Sequence, residues 1–184
     1  MHHHAGSVKK GSTMRILVMG ASGSGTTTLA VELARRQGWQ HVDADDCYWL
    51  PTDPPYREKR EPADRLAMIL GLLGQDDVVI SGSVMNWGAA LEESFDLVVF
   101  LYLDTNIRVG RLHEREQAEV GFVDPAFLDW AASYDRGTQE GRNLARHIDW
   151  LGKRDCAVLK LCGNLSVETR CRNVERRLKF LKQV

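Results

Sequence analysis

The sequence predicts an α/β protein with three layers, α/β/α, in which helices cover both faces of a central parallel sheet of about five strands. Short apolar runs alternate with amphipathic helical patterns along the chain, and the first apolar run ends in a glycine-rich turn. The longest run, 96–104, carries no charge between its terminal aspartates. Such runs are typical of strands that are buried on both faces, which is the environment of a parallel sheet.

Length and charge narrow the class of protein. We interpret residues 1–13 of the 184-residue chain as an expression tag and expect 14–184 to form a single domain. The 24 basic and 25 acidic residues leave a net charge of -1, which gives no reason to expect nucleic acid or a membrane as a partner. Four cysteines without C-x-x-C spacing favour a cytoplasmic protein, and both a monomer and a homodimer remain open.

The first element is a strand over Ile16–Met19, followed by a glycine loop and a helix that begins near Thr26. Gly20, Gly23 and Gly25 allow the backbone to turn its N–H groups inward, and the helix adds its unpaired N-terminal amides. This arrangement predicts a phosphate site. A glycine-rich turn without a ligand is the alternative, but the flanking strand and helix favour the site.

The spacing of the loop resembles the Walker A motif of P-loop NTPases, with Gly20 and Gly25 as its glycines and Thr27 as its magnesium-binding hydroxyl. Thr26 stands where that motif has its lysine, so the usual cation at the phosphates is missing. The predicted ATP-binding residues are Gly20, Ser22, Gly23, Ser24, Gly25, Thr26, Thr27 and Thr28.

A second predicted strand, His41–Asp46, ends in several carboxylates. It places them at the carboxyl edge of the sheet, where α/β proteins bind ligands. Alternation along a strand would turn Asp43 and Asp45 to the same side. One of them would hold Mg²⁺ and the other would accept a proton from an attacking hydroxyl, unless the stretch is an ordinary solvated turn.

The middle of the chain continues the alternation. The stiff loop 47–56, with three aromatic residues and three prolines, is a candidate wall for an acceptor pocket. A helix is predicted from Pro62 to Gly74, and the strand 77–83 and a short helix within 84–94 follow. Many P-loop proteins carry a magnesium-binding aspartate after this strand. The chain has Ser81 instead, which raises the importance of Asp43.

Arginines mark the second half of the chain. A helix over 106–117 carries Arg111 and Arg115 four residues apart on one face, a spacing that suits phosphate. Arg108 on the same helix fits an exposed helix with ion pairs equally well. A helical pattern over 125–153 interrupted near 135–138, a strand over 156–162 and a terminal helix after Ser166 complete the chain; the arginines in or beside that pattern are Arg136, Arg142 and Arg146.

Over residues 14–184 the chain resembles the nucleoside monophosphate kinase and shikimate kinase branch of P-loop proteins, and bacterial proteins labelled adenylate-kinase-like or topology modulation. The resemblance implies a P-loop NTPase fold with a mobile helical lid at about 108–147. The Asp43-x-Asp45 element is similar to the paired aspartates of shikimate and gluconate kinases, which help bind magnesium and the acceptor hydroxyl.

The resemblance also implies roles for the site residues. Arg111 would lie near the adenine or the donor phosphates, Arg115 would begin the lid, and Arg142 or Arg146 would close on the transferring phosphoryl group. The implied activity is an ATP-dependent phosphoryl transfer to a small molecule, with Mg²⁺ held by Thr27 and Asp43 and the acceptor deprotonated by Asp45. A noncatalytic nucleotide-binding module that has lost its lysine is the alternative.

Overall fold

The computed structural model describes the following residues: 13–74, 76–119, 121–137 and 141–183. The predicted tag lies outside them except for residue 13, as do residues 120 and 138–140 of the predicted lid segment.

Five parallel strands form the centre of the molecule. They are β1 (Arg15–Gly20), β2 (Gln40–Asp43), β3 (Val78–Ser81), β4 (Leu97–Tyr102) and β5 (Ala157–Cys162). Their order across the sheet is β2-β3-β1-β4-β5, so β1 is central and Ile16 pairs with Val79 on one side and Leu97 on the other. The carboxyl ends of all five strands therefore lie along one edge.

The described residues contain eight helices, of which seven lie between strands and the last follows β5. They are α1 (Thr26–Gln37), α2 (Ala44–Tyr48), α3 (Pro62–Leu73), α4 (Ala89–Glu92), α5 (Thr105–Glu119), α6 (Pro125–Ala132), α7 (Leu144–Gly152) and α8 (Val167–Leu181). Local sequence signals set several of their ends. Pro62 occupies the first turn of α3, a left-handed Gly38 ends α1, and the Ser166 side chain accepts the N–H of Thr169 at the start of α8.

The sheet separates two apolar cores. Leu17 and Met19 of β1 contribute to the core beneath α3, α4 and α7, whereas Ile16 and Val18 contribute to the core beneath α1 and α8. Because successive side chains of a strand point to opposite faces, a strand buried on both sides must be apolar throughout, as β1 is. The predicted three-layer α/β/α architecture is confirmed.

The predicted strand His41–Asp46 was wrong in its second half. β2 ends at Asp43, and the helix α2 begins at the next residue. The Asp43 side chain caps that helix by accepting the N–H of Asp45 at 3.0 Å, which ends the extended conformation. Asp43 and Asp45 are thus separated by a helix start, so strand alternation does not relate their side chains.

Among the helices in the described parts of the chain, none combines the length and the apolar character needed to cross a membrane.

Candidate active site

A tight turn from Gly20 to Gly25 joins the central strand β1 to α1. Its shape requires glycine, since Gly23 and Gly25 have φ of 79° and 88° and a Cβ on Gly20 would lie 2.6 Å from a backbone oxygen of β4. Fully buried Ser24 fixes the turn by donating from Oγ to the carbonyl of Ala21 at 2.7 Å. The turn leads directly into the unpaired amides at the start of α1, which suits a phosphate group.

The first turn of α1 contains neither an acidic residue nor a lysine. Thr26 is half-buried there, while Thr27 and Thr28 are exposed, and Ser22 in the loop is half-buried. An anion at this helix end therefore meets no carboxylate of the first turn. It also meets no cation from the loop itself, so positive charge must come from other elements.

Two buried arginines hold the loop from outside. Arg108 of α5, 1% exposed, reaches the carbonyl of Ser22 with Nη1 at 3.4 Å. Arg170 of α8, 3% exposed, donates from Nη1 to the carbonyl of Ser24 at 2.8 Å. Both side chains bind carbonyl oxygens of the turn, so they fix the loop and bring positive charge against it.

Arg111 and Arg142 lie beside the loop. Arg111 Nη1 is 3.9 Å from the point where a Cβ on Gly25 would stand, and Nη2 donates to Asn164 Oδ1 at 2.8 Å. Arg142 lines a small cavity with loop residues and its guanidinium carbon lies 5.9 Å above the ring of Trp130. Two of the arginines predicted from the sequence are therefore brought to the loop.

Asp43 lies opposite the start of α1. Its Oδ2 accepts from Thr27 Oγ1 at 3.2 Å and from Ser81 Oγ at 3.1 Å. The predicted metal ligands Thr27 and Asp43 are thus in direct contact. A hydroxyl and a carboxylate at the phosphate loop fit Mg²⁺, which takes few protein ligands and completes its shell with phosphate oxygens and water. No group of three or more His, Cys, Asp or Glu suited to a metal occurs among the described residues.

Asp45 lies in α2 with its carboxyl in a buried environment. Desolvation raises the pKa of Asp45 above its ordinary value, and the positive charges of Arg142 and, less strongly, Arg115 act in the opposite direction. Arg142 therefore borders the phosphate loop and is also close enough to act on Asp45. A carboxyl with a raised pKa near positive charge is suited to accept a proton.

The remaining predicted arginines are more exposed. Arg115 donates to Glu116 Oε1 at 2.9 Å, and about half of its side chain is accessible to solvent. Arg146 is exposed and donates to the carbonyl of Gly141 at 3.1 Å. Arg115 thus acts on Asp45 only weakly, through its charge, and Arg146 is exposed to solvent.

A further cation lies on the side of the predicted acceptor loop. The guanidinium carbon of Arg65 is 5.1 Å from the ring centre of Tyr48 and 4.9 Å from that of Trp87. Its Nε is buried and has no hydrogen-bond partner in the described part of the chain. The two rings hold the guanidinium in place by cation–π contact and leave its N–H donors for another group.

Comparison with known proteins places this site in a family. A family model described as AAA domain matches residues 16–122, more than half of the chain. The chain belongs to the AAA domain family. This AAA domain protein is 37% identical over 177 residues to the uncharacterized protein YqaC of Bacillus subtilis (strain 168), a match that covers 90% of the chain and 96% of YqaC.

Two kinases extend the comparison. A gluconokinase of Gluconobacter oxydans (strain 621H) is 33% identical over 127 residues, which cover 61% of the AAA domain protein and 69% of the gluconokinase. The fold matches that of a shikimate kinase from Acinetobacter baumannii in complex with shikimate, with a TM-score of 0.57 at 14% identity over 91% of this chain and 93% of that one. The predicted membership of the P-loop small-molecule kinases is confirmed.

Sequence reasoning missed Arg65 and Arg170 of this AAA domain protein. Arg65 has the spacing of an ordinary residue on α3, and Arg170 lies in a terminal helix rich in charge. Their roles depend on burial beside Trp87 and Ser24, which are distant in sequence. The sequence pointed to Arg170 only indirectly: Thr26 replaces the lysine of the loop, so a cation from another element is expected.

Proposed function

We propose that the protein is an ATP-dependent phosphotransferase that moves the γ-phosphoryl group to a small-molecule acceptor. The observation that carries the proposal is the position of Arg142, which borders the phosphate loop and acts electrostatically on Asp45. A cation between a phosphate site and a candidate base is placed where charge develops during phosphoryl transfer.

The residues divide the work. Backbone N–H groups from Ser22 to Thr28 hold the donor phosphates, and Thr27 and Asp43 hold Mg²⁺, which when bound neutralises phosphate charge. Asp45 accepts the proton of the acceptor hydroxyl. Arg111, Arg115 and Arg142 stabilise negative charge, and the exposed Arg146 of the packed helix α7 joins them only by turning its side chain towards the site.

The noncatalytic alternative predicts a pocket without converging arginines. Arg111 and Arg142 both lie beside the loop, and Arg142 also acts on Asp45. A module that only senses nucleotide does not require a buried carboxyl near its phosphate site. The convergence therefore supports the catalytic proposal.

Arg65 indicates the kind of acceptor. A guanidinium held over Tyr48 and Trp87, with a buried and unpaired Nε, offers fixed donors to a planar or tetrahedral anion. We propose that the acceptor carries a carboxylate or phosphate in addition to its hydroxyl group. The gluconokinase among the relatives is named for a substrate of that kind.

The test is ADP release from Mg·ATP by the chain beginning at Met14, with a panel of hydroxy acids, nucleoside monophosphates, neutral sugars and nucleosides. We expect turnover with a member of the anionic groups. Arg65→Met should raise the KM for that acceptor by about tenfold or more, because a charge-assisted hydrogen bond is lost.

Arg57→Met, which changes an exposed arginine of the neighbouring loop, is the matched control and should leave that KM unchanged. Turnover confined to the neutral acceptors would contradict the role of Arg65. ATP binding without turnover across the panel, with catalytic Mg²⁺ present, would favour the noncatalytic module.

A further inference from the structure

Arg170 carries a buried charge for which the described residues offer no counter-charge. It is 3% exposed, yet none of the ion pairs between described residues includes it. Nη1 and Nη2 donate to the carbonyls of Ser24 and Gly163 at 2.8 and 3.4 Å, and Nε is buried without a partner. Burying a cation without a counter-charge is costly, and a bound anion would offset that cost.

A second cation points to the same place. Arg170 Nη1 lies 3.1 Å from the position that a Cβ on Gly25 would occupy, and Arg111 Nη1 lies 3.9 Å from it. Desolvation lowers the pKa of Arg170, and repulsion from Arg111 lowers it further. Two guanidinium groups therefore converge on one peptide unit of the phosphate loop. Their mutual repulsion would be relieved by a bound anion.

The contact with Ser24 has a chemical consequence for Gly25. The carbonyl oxygen that Arg170 binds and the N–H of Gly25 belong to the same peptide group. A cation at the oxygen draws electron density from the nitrogen, so the N–H becomes a stronger donor. That N–H makes no hydrogen bond to any described residue, and it stands at the N-terminus of α1 where a phosphate is expected.

We propose that Arg170 is a positioning residue that supplies, from behind the loop, part of the positive charge that Thr26 lacks. By polarising the Ser24–Gly25 peptide it strengthens the grip of the loop on the donor's phosphate chain. The inference rests on the proposed function insofar as the donor is a nucleotide. It also assigns different roles to the arginines: Arg170 and Arg111 contribute to binding of the phosphoryl donor, whereas Arg142 and Arg115 stabilise charge during the transfer step.

The test measures the Kd of ADP and ATP by calorimetry for the wild type, Arg170→Met, Arg170→Gln and Arg170→Lys. We expect the Met and Gln variants to bind both nucleotides about tenfold more weakly, and the Lys variant to stay near the wild type. The KM for ATP should rise in parallel with little change in kcat. A purely structural role would lower the melting temperature without this split.

Arg172→Met is the matched control, since Arg172 lies on the same helix with 63% of its side chain exposed. The double variant Thr26→Lys/Arg170→Met should recover most of the lost affinity. If Arg170→Met does not fold, Arg170→Gln, which keeps a donor for the Ser24 carbonyl, decides by the same criterion.

The outcomes separate the two proposals. Unchanged Kd values in a folded Met or Gln variant, or no recovery in the double variant, would overturn the role of Arg170 while leaving the kinase proposal in place. A wild-type protein that binds neither ADP nor ATP would overturn both.

Discussion

Asp43 and Asp45 differ in chemistry because a helix begins between them. Asp43 uses Oδ1 to cap α2 and Oδ2 to accept from Thr27 and Ser81. Each of its oxygens is thereby oriented, as a metal ligand requires. Asp45 sits one residue inside the helix, where burial raises its pKa. The sequence could place both carboxylates at the edge of the sheet, but only the helix start distinguishes the proposed metal ligand from the proposed base.

Asp45→Asn tests that separation. We expect kcat to fall by about 100-fold or more, since the amide cannot accept the proton, while the Kd of Mg·ATP stays within about twofold. Steady-state kinetics and calorimetry measure the two effects. Asp46→Asn, a change at the exposed neighbouring residue, is the control. A parallel loss of ATP affinity in Asp45→Asn would assign this carboxyl to the metal instead.

The residues that the sequence did not reveal share a physical property. Arg65 and Arg170 matter because their side chains are enclosed by residues far away in the chain, and burial of a long charged side chain follows from tertiary packing. The phosphate loop was predictable because its backbone conformation is set by residues within the turn. Gly23 and Gly25 have positive φ within a short turn, and glycine at these positions of the sequence indicates such a conformation.

At the level of the elements, Arg108 joins parts of the molecule that face the site. Its guanidinium donates to carbonyls of Leu103 at 3.0 Å, Ala131 at 3.2 Å and Ser22 at 3.4 Å. The end of β4, the helix α6 and the phosphate loop are therefore tied to α5 by one side chain. The alternative of an exposed Arg108 with ion pairs within its own helix was wrong, because only 1% of the residue is exposed and its ion pair, at 3.6 Å, is with Asp135 outside α5.

Arg108→Met should lower the free energy of unfolding by about 3 kcal/mol, since several buried carbonyls lose their donor. Urea denaturation of the apo protein measures the change. Arg115→Met, on the same helix with about half of its side chain exposed, should change stability by less than about 0.5 kcal/mol. Equal effects of the two substitutions would show that the carbonyl contacts of Arg108 contribute little.

At the scale of the whole molecule, His147 joins α7 to Ser83 after β3, to Tyr134 after α6 and to Phe100 of β4, near the site. This residue is fully buried, with Nδ1 2.6 Å from the Tyr134 hydroxyl and Nε2 3.3 Å from Ser83 Oγ. Its ring also meets that of Phe100 edge to face. Desolvation, aided by the charge of Arg142, lowers the pKa of His147 from 6.5 to about 4. The folded protein therefore keeps this imidazole neutral at pH values where the unfolded chain protonates it.

The consequence is a pH-dependent stability. Because the folded-state pKa is the lower one, the contribution of His147 is complete above about pH 6.5 and is lost as the pH falls towards 4. The lost stability amounts to about 3 kcal/mol. We expect the free energy of unfolding, measured by urea denaturation between these pH values, to change less steeply with pH in His147→Gln than in the wild type. An identical pH dependence in the two proteins would mean that folding does not lower the pKa of His147.

The overall architecture could be predicted because parallel sheets demand continuous apolar runs, and Ile16–Met19 and Leu97–Leu101 supply them. The order of the strands could not be read from those runs. It depends on which pairs of strands share a register, as when Leu17 pairs with both Ile80 and Val98. The geometry of the site could not be predicted for the same reason, since the contact between Asp43 and Thr27 depends on β2 lying beside β3.

The strand order constrains the phosphate loop more strongly than the loop after α2. The phosphate loop follows β1, which has a neighbouring strand on each side, so any shift of β1 must be matched by β3 and β4. The carboxylates follow β2, an outermost strand with one neighbour, and the loop after α2 pairs with the sheet at no described position. We therefore expect insertions and substitutions in 49–61 to leave the phosphate loop undisturbed. If the proposed function holds, a new acceptor could be acquired in evolution at this edge of the sheet while the phosphoryl donor stays the same.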